Sequence, residues 1–202
     1  IGSVGMPNVE TMRKMMDKKD LRAPVRDRGN LVWRYHKYIG YGKYIEQMGE
    51  VSGIEDFCKK AQLVNYEQFR ALQEGFNAGM WEKYTGMLVW KNQNPWTSLR
   101  GQFYDVFLDQ NGGFYVYRHG ATPLHIQLNL NDSSICVQNQ SYANARQLTV
   151  ESELFDIHGA SIEKNSSRAS VEANSYKVLR KLFTQGKPEG FYFARLRLKN
   201  RQ

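Results

Sequence analysis

The side chains with the widest chemical reach are spread along the chain rather than gathered in a recognisable motif. Histidines 36, 119, 125 and 158 lack the short spacing that would bring two imidazoles onto one metal. No metal and no cofactor is expected. Cys58 sits in a helical pattern and Cys136 in an alternating one, and both read as buried free thiols. The segment Trp90-Lys-Asn-Gln-Asn-Pro-Trp96 places two indoles around a cluster of amides and one ammonium group. An indole face is a large apolar plate, and amide side chains bond hydroxyls. Taken alone, a Trp that ends an apolar run reads as core. His36 in its aromatic surroundings reads the same way, as a packing residue.

Partner classes narrow on charge and hydropathy. The formal net charge is +8, which raises nucleic acid as a partner. The basic residues fall in Arg13–Lys19, Arg26–Lys43, Lys59–Lys60 and Arg195–Arg201, always mixed with acids or apolar residues. No basic stripe and no nucleic-acid signature results, so that class is set aside. The 202 residues, 41% hydrophobic, 24% charged and 13% aromatic, are those of a globular chain with one large domain or two small ones. No apolar run approaches the roughly 20 residues that span a bilayer. The opening IGSVGMPNVE lacks the basic and apolar regions of a signal peptide, so any targeting signal is expected outside this sequence. Sequons at Asn131, Asn139 and Asn165 are short enough to arise by chance.

The elements that would position these residues change character along the chain. Val9–Lys19 carries Met12, Met15 and Met16 at helical spacing, and Asp20–Val51 reads as a long loop with helical pieces. Ser52-Gly-Ile-Glu55 fits a capping box, predicting a long helix from there to about Trp81–Tyr84. Phe57, Ala61, Val64, Phe69, Leu72, Phe76 and Met80 form its apolar stripe. Gly86–Lys91 is expected as a strand buried on both faces, and Trp96–Leu108 as a helix stopped by Asn111-Gly-Gly113. The period then becomes alternating. A hairpin is predicted over Leu124–Leu130 and Ile135–Val137 around a turn at Asn131–Ser134, with strands at Gln147–Asp156, Ala169–Leu179 and Phe191–Lys199. The reading is α/β followed by an all-β sandwich, with a boundary near 116–122.

Several stretches, in order, resemble glycoside hydrolase family 2, whose members join a TIM barrel to immunoglobulin-like sandwiches. They are IGSVGMPNVETMR, Trp33-Arg-Tyr-His-Lys37, Phe57–Tyr66, Thr85–Trp90 with Asn94-Pro-Trp96, Gly101–Asp105, Gly113-Phe-Tyr115 and Pro123–Gln127. Trp90–Trp96 and Arg100–Asp105 look most like the endo-β-mannosidases that cut the Manβ1-4GlcNAc linkage of N-glycan cores; exo-β-glucosaminidases are the related alternative. The resemblance implies that residues 1–118 are the C-terminal portion of a TIM barrel, with its last strand and helices, and that 119–202 are an immunoglobulin-like β-sandwich cut short at its end.

Retaining glycosidases use two carboxylates about 5–5.5 Å apart, one as nucleophile and one as acid/base. The resemblance implies a nucleophilic Glu just before Ile1 and an acid/base Glu further upstream. Glu10, Glu46, Glu55, Glu67, Glu82 and Asp105 match neither position, so no catalytic residue is expected here and the chain alone is expected to be inactive. What it would supply is part of the sugar pocket: Trp90, Lys91, Asn92 and Asn94 at the C-terminal end of a barrel strand, then Trp33, His36 and Trp96. Ile1, Gly2 and Ser3 would pass close to the nucleophile. Asp105 and Tyr104 read as barrel-to-sandwich contacts. The implied partners are the upstream part of the same enzyme and an oligosaccharide, with no nucleic acid and no membrane; a secretory, vacuolar or periplasmic parent is implied. A different class, a non-catalytic carbohydrate-binding or scaffold module, stays open.

Overall fold

The computed structural model describes residues 4–41, 43–100, 103–183 and 189–200. They divide into two compact units, the first comprising Ile1–Gln73 and Met87–Gly120, the second Glu74–Gly86 and Ala121–Gln202.

In the first unit, short helices α1 (Val9–Met15), α2 (Leu31–Tyr35) and α3 (Lys43–Glu46) precede the long α4 (Gly53–Ala78), whose residues from Glu74 on count with the second unit, and α5 (Gly112–Gly120) closes it. The stripe read from periodicity buries as expected at Phe57, Ala61, Val64 and Phe69. Phe57, Ala61 and Val64 pack with Met6, Met12, Trp33, Tyr38, Ile45 and Leu99, whereas Phe69 joins Phe103 and Val116 in a second cluster. At the start of α4 the reach-back differs from the capping box expected: the carboxylate of Asp56, not Glu55, accepts from the Ser52 amide at 2.9 Å. Glu55 instead pairs with Lys59 one turn on, at 3.1 Å.

Three expectations are corrected here. Residues 87–90 form no strand, and Leu88 is 90% exposed. A parallel strand needs a neighbour for its ladder, and among the described residues the first unit holds none, only isolated bridges such as Gln93 to Tyr104. The described residues of the expected helix, 96–100 and 103–108, form bends, turns and irregular backbone, not a helix. The carboxylate of Asp105 takes the amides of Phe107 and Asp109 at 2.8 and 3.0 Å, which holds a turn there. Lastly, Gly112-Gly113 starts a helix rather than stopping one. A Cβ on Gly113 would lie 2.5 Å from both Asn65 Oδ1 and Phe69 Cδ2, so the missing side chains let α5 seat on α4.

The second unit is built on two three-stranded antiparallel sheets. One runs β1 (Leu124–Asn129), β2 (Ser134–Asn139), β5 (Ser175–Lys181); the other runs β4 (Ser161–Val171), β3 (Ala145–Asp156), β6 (Tyr192–Lys199). Ile135, Val137, Leu148, Val150, Leu154, Val171 and Leu182 fill the core they share. The hairpin falls where alternation placed it, with Leu124 opposite Asn139 and Asn129 opposite Ser134. Its polar side is not the solvated one. His125 and Gln127 are buried, and Gln127 donates to the Glu74 carbonyl at 2.8 Å and accepts from Asn77 at 3.1 Å. The single strand expected over 169–179 is instead the end of β4 and the start of β5, because Asn174 takes a positive φ of 47° and turns the chain between them. On the outer face of β3 and β6, Glu153 meets Arg195 at 2.5 Å and Glu151 meets Lys199 at 2.6 Å. Hydrogen bonds from these cations hold both carboxylates below their usual pKa range.

Candidate functional site

The loop that follows the missing strand presents the candidate side chains. Trp90 is 74% exposed, and the peptide bond to Lys91 is cis. The amides of Phe103 and Tyr104 both donate to the Asn92 carbonyl, at 2.9 and 3.1 Å, which fixes the backbone while the Asn92 side chain stays exposed. Asn94 is buried; its Nδ2 donates to the Arg100 carbonyl at 3.1 Å and its Oδ1 accepts from Lys91 Nζ at 3.2 Å. Lys91 is therefore held by one of its three donors and keeps two.

Helix α2 sets the second group. Asn30 caps it, accepting from the amides of Val32 and Trp33 at 2.9 and 3.2 Å. Trp33 is wholly buried, with its indole N–H donating to the Asp20 carbonyl at 2.7 Å and its ring edge-on to Tyr38 and Phe57 at 5.0 and 5.9 Å. No face of that ring is open. His36, also buried, donates from Nδ1 to the Thr97 carbonyl, which can only accept and so fixes the protonated nitrogen. Its own carbonyl takes the Leu99 amide at 2.8 Å. Trp96 stacks on the imidazole at 6.4 Å and meets the ring of Tyr35 edge-on at 5.9 Å.

Of the residues read from the sequence, the structure thus pairs His36 with Trp96 and Lys91 with Asn94, and sets Trp33 apart in the core. Tyr35, 68% exposed against Trp96, was missed. Its neighbours Trp33 and His36 were the available signal, since one turn of helix that buries positions 33 and 36 turns 35 outward. Asp105 corrects the contact expected of it. Its partners Thr11, at 2.7 Å, Phe107 and Asp109 all lie in the first unit. Tyr104 likewise bridges to Gln93 and Gln110 and packs on Phe114. Ile1, Gly2 and Ser3 lie outside the described residues.

Glu46, Glu55 and Glu67 are tied to Arg26, Lys59 and Arg70. Among the described residues no cluster of His, Cys, Asp and Glu is built to hold a metal. Exposed indole, amide and ammonium groups remain, and they suit a ligand with apolar C–H faces and many hydroxyls.

Known proteins resemble this chain along most of its length. No family model matches. Over 174 residues, 79% of the chain, it is 45% identical to a mannosylglycoprotein endo-β-mannosidase of Lilium longiflorum. It is 29% identical over 181 residues to an exo-β-D-glucosaminidase of Amycolatopsis orientalis. The crystal structure of an exo-chitosanase from Amycolatopsis orientalis superposes on 98% of the chain with a TM-score of 0.84 and 26% identity. The match takes in 18% and 17% of the two curated relatives and 25% of the solved chain, so the sequence spans about a fifth of the relatives it resembles.

Proposed function

The chain corresponds in sequence and fold to a segment of glycoside hydrolase family 2 enzymes, and on that premise we propose that it is part of a retaining β-mannosidase-type enzyme acting on Manβ1-4GlcNAc linkages of N-glycans. In this reading residues 1–118 are the C-terminal portion of a TIM barrel and 119–202 an immunoglobulin-like sandwich. Both catalytic carboxylates come from the upstream part of the same enzyme, one as nucleophile and one as acid/base. The residues here line the sugar pocket. Trp90 stacks on a sugar ring, Lys91 and Asn92 bond its hydroxyls, and Asn94 holds Lys91 in place. Trp96 and Tyr35 form an aromatic rim, while His36 and the buried Trp33 position it.

The observation that carries this is the open Trp90 ring beside a fixed Asn92–Lys91–Asn94 loop. The identity to the lily endo-β-mannosidase favours mannoside as substrate. A second reading, exo-β-glucosaminidase action, is supported by the glucosaminidase and chitosanase relatives. The test is hydrolysis by the full-length protein of a Manβ1-4GlcNAc glycan and of chitosan oligomers, with the parent and Trp90→Ala compared. Mannoside cleavage is expected, with kcat/KM reduced roughly two- to tenfold in the variant, as the loss of a stacking contact of about 0.5–1.5 kcal/mol requires. Thermal unfolding should not move, because the ring is exposed. Unchanged kcat/KM in Trp90→Ala removes Trp90 from the pocket, and cleavage of chitosan alone selects the second reading.

A further inference from the structure

The second unit carries cations where packing logic asks for apolar side chains. Residues directly opposite one another in an antiparallel ladder point to the same side of the sheet. On β5, Lys177 stands opposite Val137 and Arg180 opposite Ile135, and both partners are fully buried core residues. Arg180 reaches inward to donate to Ser152 Oγ on the other sheet, and its Nε finds no acceptor among the described residues. At the facing edge, the β3–β4 register jumps from Ala145–Val171 to Leu148–Ala169, so Arg146 and Gln147 are left out of the ladder. Gln147 takes a positive φ of 54°, as such a bulge demands. The sandwich is therefore not closed between β4 and β5.

Two adjoining grooves of about 600 and 510 Å³ occupy that opening and share Ser170 and Lys177 on their walls. Arg168 and Lys177 line the first, Arg146 and Lys177 the second, with Ser170 between them. Among the described residues none of these three cations has a carboxylate within ion-pair distance. Lys177 spends one donor on the Ser170 carbonyl at 3.0 Å, and Arg168 makes a long 3.5 Å contact to the Gln147 carbonyl. One acid, Glu172, also lines the second groove, which leaves the walls net positive.

We propose that this β4–β5 groove binds an anionic, carboxylate-bearing oligosaccharide. Guanidinium groups grip carboxylates through paired N–H donors, and the Ser170 side chain on the shared wall suits a ligand that is itself rich in hydroxyls. The sugar nature of the occupant rests on the glycosidase reading; its charge rests on the groove alone. The experiment is titration calorimetry on the full-length protein with hexagalacturonate as probe. Mannohexaose serves as the neutral counterpart and hexathymidylate as a non-sugar polyanion. Hexagalacturonate is expected to bind saturably and to weaken as salt rises. Affinity should drop at least tenfold in Arg168→Ala/Lys177→Ala and stay unchanged in Lys83→Ala, which removes an exposed cation that lines neither groove. Should the double variant unfold, Lys177→Gln, which keeps a donor for the Ser170 carbonyl, is expected to weaken binding several-fold and decides in its place. Unaltered affinity in these variants, equal affinity for mannohexaose, or tighter binding of hexathymidylate overturns the proposal. Heat of binding needs no hydrolysis. A protein that cleaves its glycan but ignores hexagalacturonate therefore refutes the groove alone, and one that binds without cleaving refutes the glycosidase reading alone.

Discussion

Trp33 and Trp90 are the same residue type with opposite fates, and the difference lies in what each nitrogen and ring face finds. The Trp33 indole N–H reaches the Asp20 carbonyl and both faces are packed, so its removal acts on stability. Trp90 keeps most of its surface in solvent, so on the proposed reading its removal acts on ligand. The two cysteines show a matching restraint of chemistry by burial. Desolvation pushes the Cys58 thiol up to about 12 and the Cys136 thiol up to about 11. A thiol reacts as its thiolate, and a raised pKa leaves that form scarce at all pH values below it. Native protein at pH 8 is therefore expected to resist iodoacetamide at both positions, with full alkylation only in denaturant. Mass spectrometry of the labelled peptides reads this directly. Rapid native labelling of Cys58 would contradict its burial against α1.

At the level of elements, periodicity was legible where one face of a helix or strand had to be apolar. That condition holds for α4 and for the β1–β2 hairpin, and both fall close to their expected bounds. It fails where context decides. The run Gly86–Lys91 has strand composition but no ladder partner among the described residues of its unit. Only the end of β4 was legible, because its inward positions further back include Glu163, Asn165 and Ser167, which break the apolar alternation at the open side of the sandwich. The candidate site was legible in part for a similar reason. Residue types and order pointed to Trp90–Trp96, while the roles of Asn94 and Trp33 depend on hydrogen bonds that no spacing reveals. Gly113 is the sharpest example of a misread signal, a close approach mistaken for a helix stop. Its amide donates to Asn65 Oδ1 at 2.8 Å, and Asn65 Nδ2 holds the Val4 carbonyl at 2.8 Å, so one amide side chain ties α5 and the N-terminal segment to α4. Gly113→Ala forces a Cβ into that clamp and is expected to destabilise by about 1–3 kcal/mol, as overpacking does. Chemical denaturation measures it, and a variant of parental stability would mean that α5 does not press on α4.

Across the whole molecule, two kinds of surface coexist. Unit two has a filled core and a polar skin of ion pairs on β3 and β6. Within the first unit and outside the Trp90–Tyr35 site, Leu31, Ile39, Leu88, Phe107 and Leu108 are exposed. One or two of these would need no explanation; several large apolar groups in one unit of modest size mark surface that a partner covers. The proposed partner is the upstream portion of the same enzyme, which would add the neighbouring strand that residues 87–90 lack and bring both carboxylates to the Trp90 loop. The 202-residue chain by itself is accordingly expected to be inactive, to aggregate and to enhance the fluorescence of 8-anilinonaphthalene-1-sulfonate. Co-expression with the upstream portion should abolish the dye signal, restore hydrolysis and protect the amides of residues 87–90 from hydrogen exchange. The exchange data separate the two causes a dye signal can have. Protection gained at 87–90 requires a ladder partner, whereas dye release without it would reflect coverage of the apolar side chains alone. A soluble, active monomer of the chain on its own would refute the dependence on an upstream partner.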